Sequence, residues 1–262
     1  DVKLPGIVGS VFVLFWFAIS SIAASADQWG HITNQKAEFF AASDVADSQI
    51  ELTKKWYEIA AKNWGNYGPL EFWIVGNNEA AAKTLDRKYC DIRKQKDPSI
   101  PIRHCPNRGH NFVSYAIGGN AGLNTRRNEN EKWSGFIITM SAKFPGPKEE
   151  DYKPVVLHEY FHVYQHAHIH SRKRSERESL HQQNPWWGEG GAEYMAQLLY
   201  SRQKGVRAGY LKERMKRKLR SLKELREGES IKDIPYGKRA RIAYDLGAWF
   251  IAFIISKSSE EA

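Results

Sequence analysis

The sequence predicts an α+β protein, with a small mixed sheet in its first half and mainly helices in its second. Three observations carry this. Runs with strand character, 70–75, 111–117 and 134–144, all fall before residue 145. From Pro185 onward the apolar residues recur at helical spacing. Between the two halves, Val155-Val156-Leu157-His158-Glu159-Tyr160-Phe161-His162-Val163-Tyr164-Gln165 is an apolar, helix-compatible run that carries four polar side chains in a fixed pattern.

In chain order, residues 7–24 are almost wholly apolar and end in Ala24-Ser25-Ala26 before Asp27. That is the make-up of a signal peptide over 1–26, with a small-residue cleavage site, and it implies a secreted or periplasmic protein. The run is also just long enough to span a bilayer, so a membrane anchor is the other reading. In an oxidising compartment Cys90 and Cys105, the only cysteines, can form a disulfide. Closing that loop stabilises a fold by about 3 kcal/mol. Neither cysteine has metal-site spacing.

Val45, Ile50, Leu52, Trp56, Ile59 and Ala60 predict an amphipathic helix over 45–64, broken by Asn66-Tyr67-Gly68-Pro69. A strand follows at 70–75, and Asn78 can cap a helix reaching about Lys94. In 134–144, Phe136, Ile138, Met140 and Ala142 alternate with Ile137, Thr139, Ser141 and Lys143, the period of a strand. Residues 171–184 are polar, without periodicity, and read as a loop. Pro185 then opens a helix through Glu189, Glu193 and a run of apolar residues. Tyr210, Leu211, Met215, Leu219, Leu222 and Leu225 continue at helical spacing, and 243–253 reads as a buried helix.

The formal charge is +9, from 39 Lys and Arg against 30 Asp and Glu, and its excess lies between 202 and 243. Such a face is either ordinary solvated surface or a site for an anionic surface or polymer. It has no interleaved aromatic stacking platform, and no nucleic-acid motif is visible.

The pattern His158-Glu159-x-x-His162 places two imidazoles one turn apart on a helix. Both can then reach one tetrahedral zinc at about 2.0–2.1 Å. Glu159 is adjacent, where its carboxylate can reach a water in the remaining position. A buried carboxylate between two histidines is costly unless it has a task. For a third ligand there are two candidates. His168 lies six residues beyond His162, close to the metzincin pattern except that Gln165 stands where that pattern needs a glycine to turn the chain back. The other is Glu189 in Trp186-Trp187-Gly188-Glu189-Gly190-Gly191-Ala192-Glu193-Tyr194, whose glycines allow close approach to the first helix. The plain alternative for Glu189 and Glu193 is a solvated acidic face.

In these motifs the chain resembles the gluzincins, zinc metallopeptidases with two histidines and a distant glutamate, the group of thermolysin-like enzymes, zinc aminopeptidases and bacterial collagenases. The resemblance implies one catalytic Zn2+ held by His158, His162 and Glu189, and Glu193 as the carboxylate that orients a zinc-bound histidine. It further implies Glu159 as the general base toward a zinc-activated water. Tyr244, in a Tyr-x-x-Gly-Ala segment, matches a tyrosine that hydrogen-bonds the oxyanion, although a packing role is equally open. Segment 134–144 has the place of an edge strand that binds an extended peptide, with an ordinary internal strand as the alternative. The implied fold is a thermolysin-like, two-lobed zincin fold. An N-terminal lobe, 27–170, would end in the active-site helix, and a mainly helical lobe, 171–262, would supply Glu189. The implied activity is hydrolysis of peptide bonds in a peptide or protein substrate. Two other readings stand beside it: a catalytically silent zincin-fold module that binds anionic polymers through 202–243, and a metzincin using His168.

Overall fold

Strand sequences that are apolar on both faces need cover on both sides, and that requirement organises the first half of the chain. The computed structural model describes residues 30–98, 105, 111–126, 133–142, 149–169, 171 and 173–259. The expected signal peptide lies outside these residues. Among those described, no helix is long and apolar enough to cross a membrane.

The central sheet joins β2 (Glu38–Ala41), β4 (Leu70–Val75), β5 (Ala121–Arg126) and β6 (Gly135–Ser141) in the order β2-β4-β6-β5. The first three of these neighbours are parallel, and β5 closes the sheet antiparallel to β6. β4 and β6 are buried at every position, as central strands covered on both faces are. One face carries Phe72, Ile74, Phe136, Ile138 and Met140. It packs on α1 (Asp47–Trp64), through Trp56 and Tyr57, and on α4 (Glu149–Ala167), through Val156, Leu157, Tyr160 and Val163. The other face, with Trp73, Val75 and Ile137, packs on α2 (Glu79–Lys96) and α3 (Phe112–Gly118). A small ribbon of β1 (His31–Ile32) and β3 (Tyr67–Gly68) completes the β structure.

Asn78 caps α2 as its position predicts, its side chain accepting from the backbone N–H of Ala80 at 2.9 Å and of Ala81 at 3.1 Å. Replacing Asn78 with Ala is expected to cost about 1 kcal/mol, read as a fall in the midpoint of urea unfolding with an unchanged m-value. Cys90 at the far end of α2 is bonded to Cys105.

Three expectations are corrected. Segment 111–117 is helix α3, not strand: its buried residues Phe112 and Ala116 are one helical turn apart, and seven residues satisfy either period. Segment 134–144 is an internal strand, and the edge of the sheet is β5, which its Gly and Asn did not announce. Residues 171–184 are not a loop throughout, because α5 spans Arg174–Gln182. Its sequence is too polar to show an apolar period, and among its described side chains the buried one is Arg177, which donates to the Ser171 carbonyl at 3.0 Å. Strand β2 gave no expectation at all.

The second half is helical. It comprises α6 (Pro185–Ser201), α7 (Tyr210–Lys218), a 3₁₀ turn (Leu219–Glu224), a shorter one (Ile231–Asp233) and α8 (Ala240–Lys257). α6 lies between α4 and α8. The crossing with α8 is made by glycines: a Cβ on Gly190 would stand 2.6 Å from Gly247 Cα, so the two backbones touch there. Gly191 faces the other way, toward Gln165 and Phe161 of α4, which is the close approach the glycine run predicts. Part of the basic charge after residue 202 is paired within the chain: Arg207 with Glu213, Arg239 with Glu229, Arg241 with Glu224, and Lys218 with Glu193 and Asp245.

Candidate metal centre

α4 has two faces with opposite tasks. Tyr152, Val156, Leu157, Tyr160 and Val163 fill the core beneath the sheet. His158, Glu159, His162 and His166 recur on the opposite side, all buried, toward α6 and a cleft. Packing of the apolar face holds the helix rigid and so fixes the polar one.

His158 Nε2 and His162 Nε2 are 3.0 Å apart, and each lies 3.1 Å from Glu189 Oε2. Glu189 stands just past the first turn of α6, brought against α4 by the glycines around it. The three atoms form a nearly equilateral triangle. On either side of its plane one point lies about 2.0–2.2 Å from all three, the range of Zn–N and Zn–O bonds. Among the described residues this is the one group of His, Cys, Asp and Glu able to hold a metal ion together.

The electrostatics favour a cation at this point. Burial works against a charge on His158, yet the hydrogen bonds to Glu189 and Glu193 push its pKa up to about 10. Glu193 Oε2 lies 3.4 Å from His158 Nδ1, and its Oε1 lies 2.7 Å from Lys218 Nζ. Burial would raise the Glu193 carboxyl, but His158 and Lys218 hold it far below the usual carboxylate range. Lys218 is tied in turn to Asp245 at 3.1 Å, and Asp245 accepts from Ser221 at 2.5 Å. So the carboxylate behind His158 is anchored to α7 and α8. Glu159 is shifted upward by burial, with His158 and His162 pulling the other way.

Beside this centre runs a cleft of about 570 Å³, lined by residues 121–125 of β5, by Glu159, His162, His166 and Glu189, by Glu178 of α5 and by Tyr236. The edge strand and the metal-binding group therefore share one wall-to-wall space.

His168, the other candidate ligand, is not part of the group. α4 continues through Gln165 to Ala167, so the chain does not turn back. His168 is exposed, with Nδ1 2.7 Å from the Tyr164 carbonyl and its ring against Tyr67 and Tyr164. Tyr244 stacks parallel to His158 at 6.2 Å between ring centres, and burial together with Glu189 pushes its phenol well above the ordinary value. Two neighbours had no sequence signal. Tyr236, on the loop before α8, donates to Glu189 Oε1 and lies in the cleft wall. Tyr115 of α3 is raised by burial and then by the charge of Glu159.

A third donor taken from α6, beyond the intervening α5, with α4 running straight past the site, is the gluzincin arrangement and not the metzincin one. The site is accordingly of gluzincin type, and the chain is a zinc metallopeptidase, a hydrolase of peptide bonds. More narrowly, residues 152–238, which hold both zinc-site helices, match the model of the M61 glycyl aminopeptidase family. No curated protein and no solved structure matches the chain.

Proposed function

We propose that this protein binds one zinc ion through His158, His162 and Glu189 and hydrolyses peptide bonds in the cleft beside it, within a two-lobed zincin fold. The observation that carries the reading is the triangle of two imidazole nitrogens and one carboxylate oxygen at 3.0–3.1 Å, opening on a cleft that also holds Glu159. Zinc bound there would polarise the scissile carbonyl and acidify a water. The chain's own residues do the rest. Glu159 accepts a proton from the attacking water and delivers it to the departing amine. Glu193 fixes His158 through Nδ1, so that Nε2 faces the ion. Tyr244 keeps its proton and donates toward the oxygen on which negative charge develops. The edge strand β5 pairs with the extended substrate; it lines the cleft, and one of its edges is already taken by β6.

The M61 description supports a more specific activity, release of an amino-terminal glycine. An exported location belongs to the same proposal, supported by the Cys90–Cys105 bond, which persists in oxidising compartments. The internally paired cations of 202–243 favour a solvated face over an anionic-polymer site.

The test is hydrolysis of a mixed peptide library, with free and acetylated amino termini, before and after chelation. Expected is cleavage lost on chelation and restored by zinc, with acetylation blocking it if release is from the terminus. A folded, zinc-loaded protein that cuts nothing would overturn the reading. Beside it, Glu189→Ala is expected to weaken zinc binding by at least about 100-fold, through loss of one of three ligands, whereas His168→Ala leaves it unchanged. The reverse result, measured by chelator competition, would return the site to the metzincin pattern.

A further inference from the structure

Gln165 first stands out as a misfit, a glutamine where a metzincin would have glycine. Its side chain makes two hydrogen bonds, and together they fix the chemistry of a metal-binding histidine. Gln165 Nε2 donates to the Gly188 carbonyl at 2.9 Å, and Gln165 Oε1 lies 2.7 Å from His162 Nδ1. A backbone carbonyl can only accept, so the NH2 end of the amide must face Gly188. The oxygen end must then face His162, and an amide oxygen can only accept as well. Hence His162 carries its proton on Nδ1, and its Nε2 presents a lone pair to the ion.

From this geometry we infer that Gln165 is a positioning residue: its amide oxygen, accepting from His162 Nδ1, fixes the tautomer of His162, and its amide nitrogen ties it to the Gly188 carbonyl, one residue before the third ligand. The inference rests on the zinc reading above. It gives the two ligand-bearing helices a shared lock, because the same amide spans α4 and the turn of α6 that holds Glu189. Gly191 belongs to the arrangement, since a Cβ there would stand 3.2 Å from Gln165 Nε2 and press on the amide. His158 has a different device, the Glu193 carboxylate on its Nδ1. His158 is thus oriented by a charged acceptor on α6, and His162 by a neutral one on its own helix that is tied to α6.

The experiment is zinc affinity of the full chain, measured by competition with a chromophoric chelator. It is accompanied by the thermal midpoint of the metal-free protein and the downfield imidazole N–H signals of the zinc-loaded one. Gln165→Met keeps the length of the side chain and removes both hydrogen bonds. Expected is a loss of about 10–100-fold in zinc affinity, the usual effect of removing such a partner, together with loss of the protected His162 Nδ1–H signal to exchange. Wild-type affinity and signal in this variant would overturn the inference. If the metal-free midpoint also falls, Gln165→Glu decides, because it keeps an acceptor for His162 and loses the donor to Gly188. Affinity within a few-fold of the wild type then supports the inference, and a fall as deep as that of Gln165→Met reduces Gln165 to a packing tie and overturns it. Failure of the wild type itself to take up zinc is a separate result. It would sink the metal centre, and this inference along with it.

Discussion

Glu159→Gln is expected to lower kcat/KM for peptide hydrolysis by about 10²–10⁴-fold while leaving zinc content unchanged, the usual contribution of a positioned acid–base group. In free energy that is about 3–5 kcal/mol of transition-state stabilisation. The substitution keeps volume and polarity at a buried position and removes only the capacity to accept a proton. Glu159 is outside the triangle of donor atoms formed by its two histidine neighbours and Glu189, so those donors remain. Burial raises the Glu159 carboxyl above the ordinary range, which brings it closer to the pKa that suits a base working near neutrality. The measurement is steady-state hydrolysis of the best library peptide by both proteins, with metal analysis of each. A variant that kept its zinc and its full rate would remove Glu159 from the mechanism.

His158, Glu159, His162, Glu189 and Glu193 could be found from the sequence because their chemistry is written in helical spacing: one turn separates the two histidines, and one turn separates the two glutamates. Side chains that meet on a helix face recur at intervals of three or four, whatever the rest of the chain does. Gln165 sits at such an interval from His162, yet its second partner is the backbone carbonyl of Gly188, and no residue letter announces a carbonyl. Tyr236 reaches Glu189 across 47 positions from a loop, where no period exists to read. The sheet divides in the same way. β4 and β6 show themselves by their apolar content. β5, Ala-Gly-Leu-Asn-Thr-Arg, becomes a strand through its pairing with β6. Its importance to the cleft follows from its place at the edge. α5, Arg-Ser-Glu-Arg-Glu-Ser-Leu-His-Gln, has almost no apolar residue to show a period, and among its described side chains the buried one is Arg177. In each case the missing information is a long-range partner, while the local pattern was sound.

The second large effect is predicted at the α6–α8 crossing, and it concerns stability first and the metal second. A Cβ placed on Gly247 would stand 2.0 Å from the Trp186 carbonyl oxygen and 2.9 Å from Trp186 Cα. These are backbone atoms, which cannot rotate out of the way as a side chain could. Gly247→Ala must therefore part the helices, and the cost lies at or above the upper end of the ~1–3 kcal/mol typical of overpacking. For a chain of this size about 3 kcal/mol corresponds to a fall in Tm of roughly 6–12 °C. Trp186 lies three residues before Glu189 on α6, so displacement of that end of the helix also draws the third donor away from His158 and His162. Zinc affinity should fall together with Tm, although residue 247 touches no ligand. Gly118 supplies the control: a Cβ there meets nothing within 4 Å, so Gly118→Ala is expected to be neutral or slightly stabilising. Thermal unfolding and chelator competition on both variants check this. A Gly247→Ala protein with the wild-type Tm would mean that the two backbones do not touch. If Tm alone fell, the crossing would be a scaffold that the metal centre does not feel.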